Sequence, residues 1–252
     1  MTLTTLIFDV DGTLADTERD GHRVAFNRAF SETGLDWQWD VSLYGGLLAV
    51  TGGKERILHY IERFRPEFVR PRDMAGFLKS LHLAKTRYYV AMLEAGEIPL
   101  RTGVQRLLTE ARNAGLRLAI ATTTTPDNVT ALLRHALAPG GETWFEVIGA
   151  GDIVAAKKPA PDIYHWVLHQ LRLDPHQALA LEDSENGLRA ARAAGLRTLI
   201  TLNHYTLHQD FSGALAVFDH LGDPGLTCRC VQGQVTAPAM VDVAWLRSVA
   251  EG

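Results

Sequence analysis

Residues 3–17 read LTTLIFDVDGTLADT, and the order of the whole chain follows from this stretch. Apolar Leu3, Leu6, Ile7 and Phe8 run into Asp9 and Asp11, with Gly12 and Thr13 directly after. That is the pattern of a buried strand leaving a sheet and turning. Residues i and i+2 of a strand share a side, so Asp9 and Asp11 can face one cleft, and Gly12 has the backbone freedom for a sharp turn. Two carboxylates held that close need a cation or a proton between them. Solvated turn aspartates give the same local pattern, because Asp and Gly are common where strands end. The remainder of the chain separates the two interpretations.

A length of 252 residues is enough for one large domain or two smaller ones with a substantial core. The net charge of -4 argues against a nucleic-acid binder, which would carry a strongly basic face. No apolar run is long enough to span a bilayer, and no basic segment precedes the short apolar stretch at the N-terminus. A cytoplasmic protein, outside the membrane and not secreted, is therefore expected. Cys228 and Cys230 are the only cysteines. They lie too close together to staple a fold and read as reduced thiols in a C-terminal loop without an assigned role.

From residue 16 to residue 92 the pattern is helical. Phe26, Ala29 and Phe30 recur at helical spacing, then Leu58 and Ile61, then Met74, Phe77, Leu78, Leu81, Tyr88 and Met92. Clusters of Gly, Asp and Pro at 34–40, 44–53 and 65–72 separate these segments. The expected organisation is an all-helical insert at 16–92 within a core made of 1–15 and 93–252. The insert has twelve Lys/Arg and ten Asp/Glu, a net +2 against -6 for the remainder, which hints that it meets an anion.

After Pro99, strand and helix alternate. Thr102 and Gln105 are spaced as a capping box ahead of Val104, Leu107, Leu108 and Ala111. Leu116 to Ala121 is a short apolar strand that runs into Thr122–Thr125, with Pro126 suited to the first turn of the next helix. Hydroxyls above a helix N-terminus form a phosphate cradle, although a Thr-rich cap looks much the same. Phe145–Ile148 is another strand, and beyond it Lys157 and Lys158 precede Pro159 and Pro161, which would present Lys158 rigidly. Ala178–Leu181 ends in a second acidic pair, Glu182 and Asp183. Thr198–Leu202 and Ala214–Phe218 complete the strands, and Val241–Val249 is a closing helix.

Such alternation implies an α/β fold, a Rossmann-like doubly wound parallel sheet covered on both faces, with ligands bound beyond the carboxyl ends of the strands. Four successive strand ends carry Asp9/Asp11, Thr122, Lys158 and Glu182/Asp183, too consistent a placement for four unrelated turns. DVDGT, Thr122, the Lys158 of KKPAPD and the LEDS block together resemble the haloacid dehalogenase superfamily, and the helical insert resembles its small-cap subclass. KPAPDIY and LEDSENG are similar to the group of β-phosphoglucomutases and sugar phosphatases, and TGGKERI, LHLAKTRYY and LRTGV resemble the CbbY-type sugar-bisphosphate phosphatases. That resemblance implies xylulose 1,5-bisphosphate, a misfire product that inhibits Rubisco, as substrate.

The residues imply their own chemistry. Ionised Asp9 would attack phosphorus in line to give an aspartyl-phosphate. Asp11 would protonate the leaving sugar oxygen and then deprotonate the attacking water. Mg2+ suits an all-oxygen site of the Asp9 carboxylate, the Asp11 backbone carbonyl and Asp183, with Glu182 orienting that shell. Thr122 and Lys158 would hold the equatorial phosphate oxygens, and Thr123 would extend the cradle. The insert would act as a lid that selects the ester. In it Thr51, Gly52, Gly53 and Lys54 are candidates for gripping a second phosphate, with Lys85 as a further cation and Glu18 as an acceptor for sugar hydroxyls; a Gly-rich turn and surface charges are the bland alternatives. A β-phosphoglucomutase would place a cap histidine where this chain has Gly21, with His22 one step on and about 100° around the helix. A phosphoglycolate phosphatase is the other enzyme alternative, and a catalytically dead regulator would be expected to lack Asp9, Asp11 or Asp183. The expected partner is a small phosphorylated sugar, and the expected state is a monomer.

Overall fold

The computed structural model describes residues 2–50, 52–233 and 235–251. The strands are β1 (Thr5–Phe8), β2 (Arg117–Ala121), β3 (Val147–Gly149), β4 (Ala178–Glu182), β5 (Arg197–Thr201), β6 (Ala216–Phe218) and β7 (Cys230–Gly233). The α-helices are α1 (Arg23–Glu32), α2 (Val41–Leu47), α3 (Gly53–Phe64), α4 (Met74–Glu94), α5 (Val104–Asn113), α6 (Pro126–Leu132), α7 (Asp162–Leu171), α8 (Glu185–Ala193) and α9 (Val243–Glu251). The chain divides into two compact units, Met1–Asp16 with Pro99–Gly252 and Thr17–Ile98. The helical unit thus runs to Ile98, past the limit expected at residue 92, because α4 continues to Glu94 before the chain turns.

The first unit is built on a seven-stranded sheet in the order β3-β2-β1-β4-β5-β6-β7. Pairing is parallel from β3 to β6, and only β7 is antiparallel. This is the Rossmann-like α/β architecture expected from the alternation. Every β1 and β4 residue is buried, as a sheet covered on both faces requires. On one face Ile7, Ala119, Ala121 and Ala180 pack against Ile163, Tyr164 and Val167 of α7 and Ala190 and Ala191 of α8. The alanines let these helices approach closely. Phe8 is level with Ile120 on one side and Leu181 on the other, so β1, β2 and β4 end together. The strand order reverses between β1 and β4, which is where such sheets open a crevice. Where the chain leaves and re-enters this unit, Ala15 and Leu100 pair as an antiparallel bridge.

Two local readings are corrected. Thr102 does not cap α5: Gly103 holds the cap position at φ 83, and its N–H is taken at 2.8 Å by the Asp223 carboxylate from far along the chain. Cys230 does not lie in a loop but opens β7, the edge strand, while Cys228 is buried; both thiols are free. The other strands start or stop within two or three residues of the expected ones, the ordinary scatter of element ends.

The helical unit has an aromatic core. Trp39 is fully buried, with ring centroids 4.8 Å from Phe26 and 4.9 Å from Phe30, and Trp37 sits edge-on to Tyr60 at 5.5 Å. The segment 34–40 is therefore core and not a mere separator, and 44–53 contributes Tyr44 and Leu47 of α2 to the buried interior. Asp40 caps α2 by accepting from Leu43 N–H, and Asp73 caps α4 by accepting from Gly76 N–H, each at 2.8 Å. The buried face of α4 runs through Leu81, Ala84, Lys85, Tyr89, Met92 and Leu93, so Tyr89 and not Tyr88 faces inward. Among the described residues no helix is long and apolar enough to cross a membrane.

Candidate active site

Asp9 is the first residue beyond β1, and its N–H donates to the Leu181 carbonyl at 3.0 Å. The chain then turns tightly: Leu14 N–H donates to Val10 O at 2.9 Å and Gly12 N–H to Ala15 O at 2.8 Å. Gly12 sits at φ 83, and a Cβ there would run into the Asp183 carboxylate and the Asn203 amide. Both the backbone conformation and the close approach require glycine. Asp11 lies on this turn, bridging to Ala15 and adding to the negative field on Asp9.

Lys158 reaches into the same crevice from the loop before α7, at a cis Lys158–Pro159 bond. All three ammonium protons are used: to Asp9 Oδ1 at 2.6 Å, to Glu182 Oε1 at 2.5 Å and to the Ala121 carbonyl at 2.8 Å. Tyr164, one turn into α7, donates its hydroxyl to the same Glu182 oxygen at 2.5 Å. Glu182 Oε2 is buried without a partner, and a Cβ on Gly187 would collide with this carboxylate. Asp183 Oδ2 accepts from Asn203 Nδ2 at 2.6 Å, and Asn203 is itself fixed by Tyr205 N–H donating to its Oδ1 at 2.8 Å. Thr122 follows β2, buried, with its N–H on the Gly149 carbonyl at 2.9 Å and its hydroxyl oxygen accepting from Thr124 N–H at 3.3 Å. Thr123 is half-buried beside it. Asp9, Lys158, Glu182 and Asp183 are thus brought together directly, with Thr122 at the end of the adjoining strand. Tyr164 and Asn203 were absent from the sequence reading; only their place after a strand or within KPAPDIY could have flagged them.

The electrostatics follow from burial. Removal from water pushes the Asp9 carboxyl well above the usual range, Lys158 opposes this, and Glu182, Asp183 and Asp11 reinforce it. Asp183 is pushed up to about 7, by burial first and Glu182 second, with Arg101, Lys158 and Asn203 pulling back. Burial works against the Lys158 charge, but Asp9 and Glu182 outweigh it and hold the ammonium more firmly than in free lysine.

Asp9, Glu182 and Asp183 each offer a carboxylate oxygen within 4.8 Å of the others, against one ammonium. Buried negative charge in that excess calls for a cation, and an all-oxygen donor set fits a hard divalent ion such as Mg2+. Glu182 Oε1 accepts from both Lys158 and Tyr164, Asp9 Oδ1 accepts from Lys158, and Asp183 Oδ2 accepts from Asn203. A prediction follows from the linkage. Between about pH 4 and pH 7 the metal-free folded chain keeps a proton on Asp183 that the unfolded chain, with its ordinary value of 3.8, has released. Stability should therefore fall as pH rises through that window, and Mg2+ should restore it. Melting in EDTA and in Mg2+ checks this: a rise of several degrees at pH 8 and little at pH 5 is expected, and equal rises at both would contradict it.

In the helical unit Glu18 lies in the short turn Thr17–His22 and accepts from the Tyr44 hydroxyl at 2.5 Å, with buried Arg56 at 3.7 Å and donating to the Tyr44 oxygen at 2.7 Å. Gly52, at φ 96, precedes α3, and Gly53 and exposed Lys54 open it; Thr51 lies outside the described residues. Lys85 is no surface charge. It is 5% exposed, its ammonium 5.4 Å from the Phe26 ring centre and 5.1 Å from that of Tyr89. His82, one turn earlier, is pushed below its ordinary value by burial, then by Lys85 and Lys54. Lys54 and Lys85 thus lie close enough to His82 to disfavour its charged form, and His82 and Arg56 were not singled out by the sequence. Gly21 backs onto Tyr89 and Ile98, where a Cβ would come within 2.8 Å of both side chains. His22 lies against Tyr89 with ring centres 4.1 Å apart and planes tilted by 36°.

Comparison with known proteins places this geometry. A family model described as haloacid dehalogenase-like hydrolase matches residues 3–195. The plasmid-encoded CbbY protein of Cupriavidus necator is 52% identical over 219 residues, spanning 87% of this chain and 86% of its own. The crystal structure of CbbY from Rhodobacter sphaeroides in complex with phosphate is similar at a TM-score of 0.77 and 47% identity, over 86% of this chain and 94% of that one. A mutant of the same protein in complex with xylulose 1,5-bisphosphate matches at a TM-score of 0.76 and 46% identity over the same shares.

Proposed function

Because the chain belongs to the haloacid dehalogenase-like hydrolases, and among them to the CbbY proteins, we propose that it is a Mg2+-dependent phosphatase converting xylulose 1,5-bisphosphate to xylulose 5-phosphate. The observation that carries this reading is the Asp9–Lys158–Glu182 contact beside Asp183 at the strand ends, in a chain 46% identical to a protein solved with that bisphosphate.

In this reading Asp9 attacks phosphorus and carries the phosphoryl group as an acyl phosphate, so one hard displacement becomes two easier ones. Asp11, on the turn two residues after Asp9, gives its proton to the leaving sugar oxygen and then takes one from the water that cleaves the intermediate. Lys158 favours the ionised form of Asp9 against burial and fixes its position; with a phosphoryl group bound, its ammonium and the Thr122 and Thr123 groups meet the equatorial oxygens. Glu182 and Tyr164 keep Lys158 aimed. The Asp9 and Asp183 carboxylates and the Asp11 backbone carbonyl would hold Mg2+, which when bound offsets the charge shared by carboxylates and phosphate.

Substrate choice is assigned to the helical unit, with Thr51, Gly52, Gly53, Lys54 and Lys85 for the second phosphate and Glu18 for a sugar hydroxyl. A phosphoglucomutase is disfavoured because Gly21 is wedged against Tyr89 and Ile98, leaving no room for the acid–base histidine that a mutase would place there. Phosphate release with Mg2+ across xylulose 1,5-bisphosphate, ribulose 1,5-bisphosphate, β-glucose 1-phosphate and phosphoglycolate tests the reading. Strong preference for the first is expected; slow, indiscriminate release would overturn the substrate. Lys54→Ala should lower bisphosphate turnover at least about tenfold more than that of a small aryl phosphate, a loss of about 1.4 kcal/mol of transition-state binding. Equal losses would count against a second-phosphate role.

A further inference from the structure

The segment Leu100–Val104 carries an arginine that the chemistry above leaves unused. The Arg101 N–H donates to Leu14 O at 2.8 Å, next to the Ala15–Leu100 bridge, and its side chain is only 9% exposed. The guanidinium donates to the Gly12 carbonyl, to Thr201 O and Oγ1 at 3.2 and 3.1 Å, to the Leu202 carbonyl and to Asp219 O at 3.4 Å. It also pairs with Asp16 Oδ1 at 3.4 Å. One planar fork of donors thereby ties the turn after β1 to the ends of β5 and β6, a task that the single ammonium of lysine would do poorly.

Gly12 is the residue whose torsions are freest on this turn, and it directly follows Asp11. Its N–H is held by Ala15 O and its carbonyl by Arg101, so the arginine removes the freedom that glycine introduces. We propose that Arg101 is a positioning residue for Asp11, holding the turn so that the Asp11 carboxyl meets the leaving oxygen. The proposal rests on the reading of Asp11 as general acid.

The test is the dependence of kcat/KM on the leaving group, using p-nitrophenyl phosphate, whose leaving group departs without a proton, and phenyl phosphate, whose leaving group needs one. A misplaced acid selectively slows the second. Arg101→Lys is expected to lose at least about tenfold more activity on phenyl than on p-nitrophenyl phosphate, and Asp11→Asn more still. Thr201→Val, which removes one bond from the same cluster without touching Gly12, should leave the ratio at the wild-type value. A uniform loss in Arg101→Lys alongside a selective loss in Asp11→Asn would overturn the positioning role and leave the mechanism standing. A uniform loss in Asp11→Asn would overturn the general-acid reading, and the proposal with it. If Arg101→Lys does not fold, Arg101→Gln is read in the same way.

Discussion

Asp9→Asn should lower phosphate release by at least about 10⁴-fold while leaving the fold intact, because an amide neither attacks phosphorus nor carries the phosphoryl group. The structural part of this expectation is the more discriminating. Asp9 is buried, and its carboxyl is already pushed well above the usual range by that burial, with Lys158 its main counterweight. Replacing it with a neutral isostere removes a carboxylate from an over-charged cluster and leaves Lys158 its bonds to Glu182 and Ala121. The variant should melt at or above the wild-type temperature in EDTA. Full turnover in purified Asp9→Asn would refute the covalent mechanism, and unfolding would refute the charge argument alone.

Lys158→Met should do the opposite to stability. It strips the one ammonium that contacts Asp9 and Glu182 among the described residues, and breaking a buried ion pair from one side costs about 3–5 kcal/mol. Activity should fall about 10²–10³-fold as well, since the cation no longer meets the transferring oxygens. The double variant Lys158→Met with Glu182→Gln separates the two effects. It should recover much of the stability, measured by urea unfolding, because the carboxylate left unpaired has been neutralised, yet recover no activity. A single variant as stable as wild type would show that Lys158 is not the counter-charge that holds this cluster.

How much of this was legible depends on the range of the interaction. Asp9, Asp11, Thr122, Glu182 and Asp183 each follow an apolar run, so strand ends could be read from pattern and the crevice inferred from the fold class; Lys158 instead lies in the loop before α7, well past β3, and only its place ahead of Pro159 and Pro161 marked it. Tyr164, Asn203 and Arg101 act through contacts between segments far apart in the chain, which no local spacing records. Trp37 and Trp39 were hidden by the Gly and Asp around them, whose turn signal outweighed two large apolar rings. Lys85 was legible as a cation but not as a buried one: choosing Tyr88 over Tyr89 turns α4 by one residue, and only the correct turn places the ammonium over two aromatic rings. The capping box failed because Asp223, supplied by tertiary structure, took the place of Thr102.

The bridge between Ala15 and Leu100 has a wider consequence. It brings the two ends of an 82-residue excursion, from Thr17 to Ile98, to hydrogen-bonded neighbours on a frame that is already complete around the strand ends. A segment whose ends meet in this way can be lengthened, shortened or exchanged at little cost in loop closure. Grafting experiments could therefore treat the excursion as a cartridge; under the proposed function, a new insert between residues 16 and 99 is expected to change selectivity while the chemistry proposed for Asp9 and Lys158 carries over.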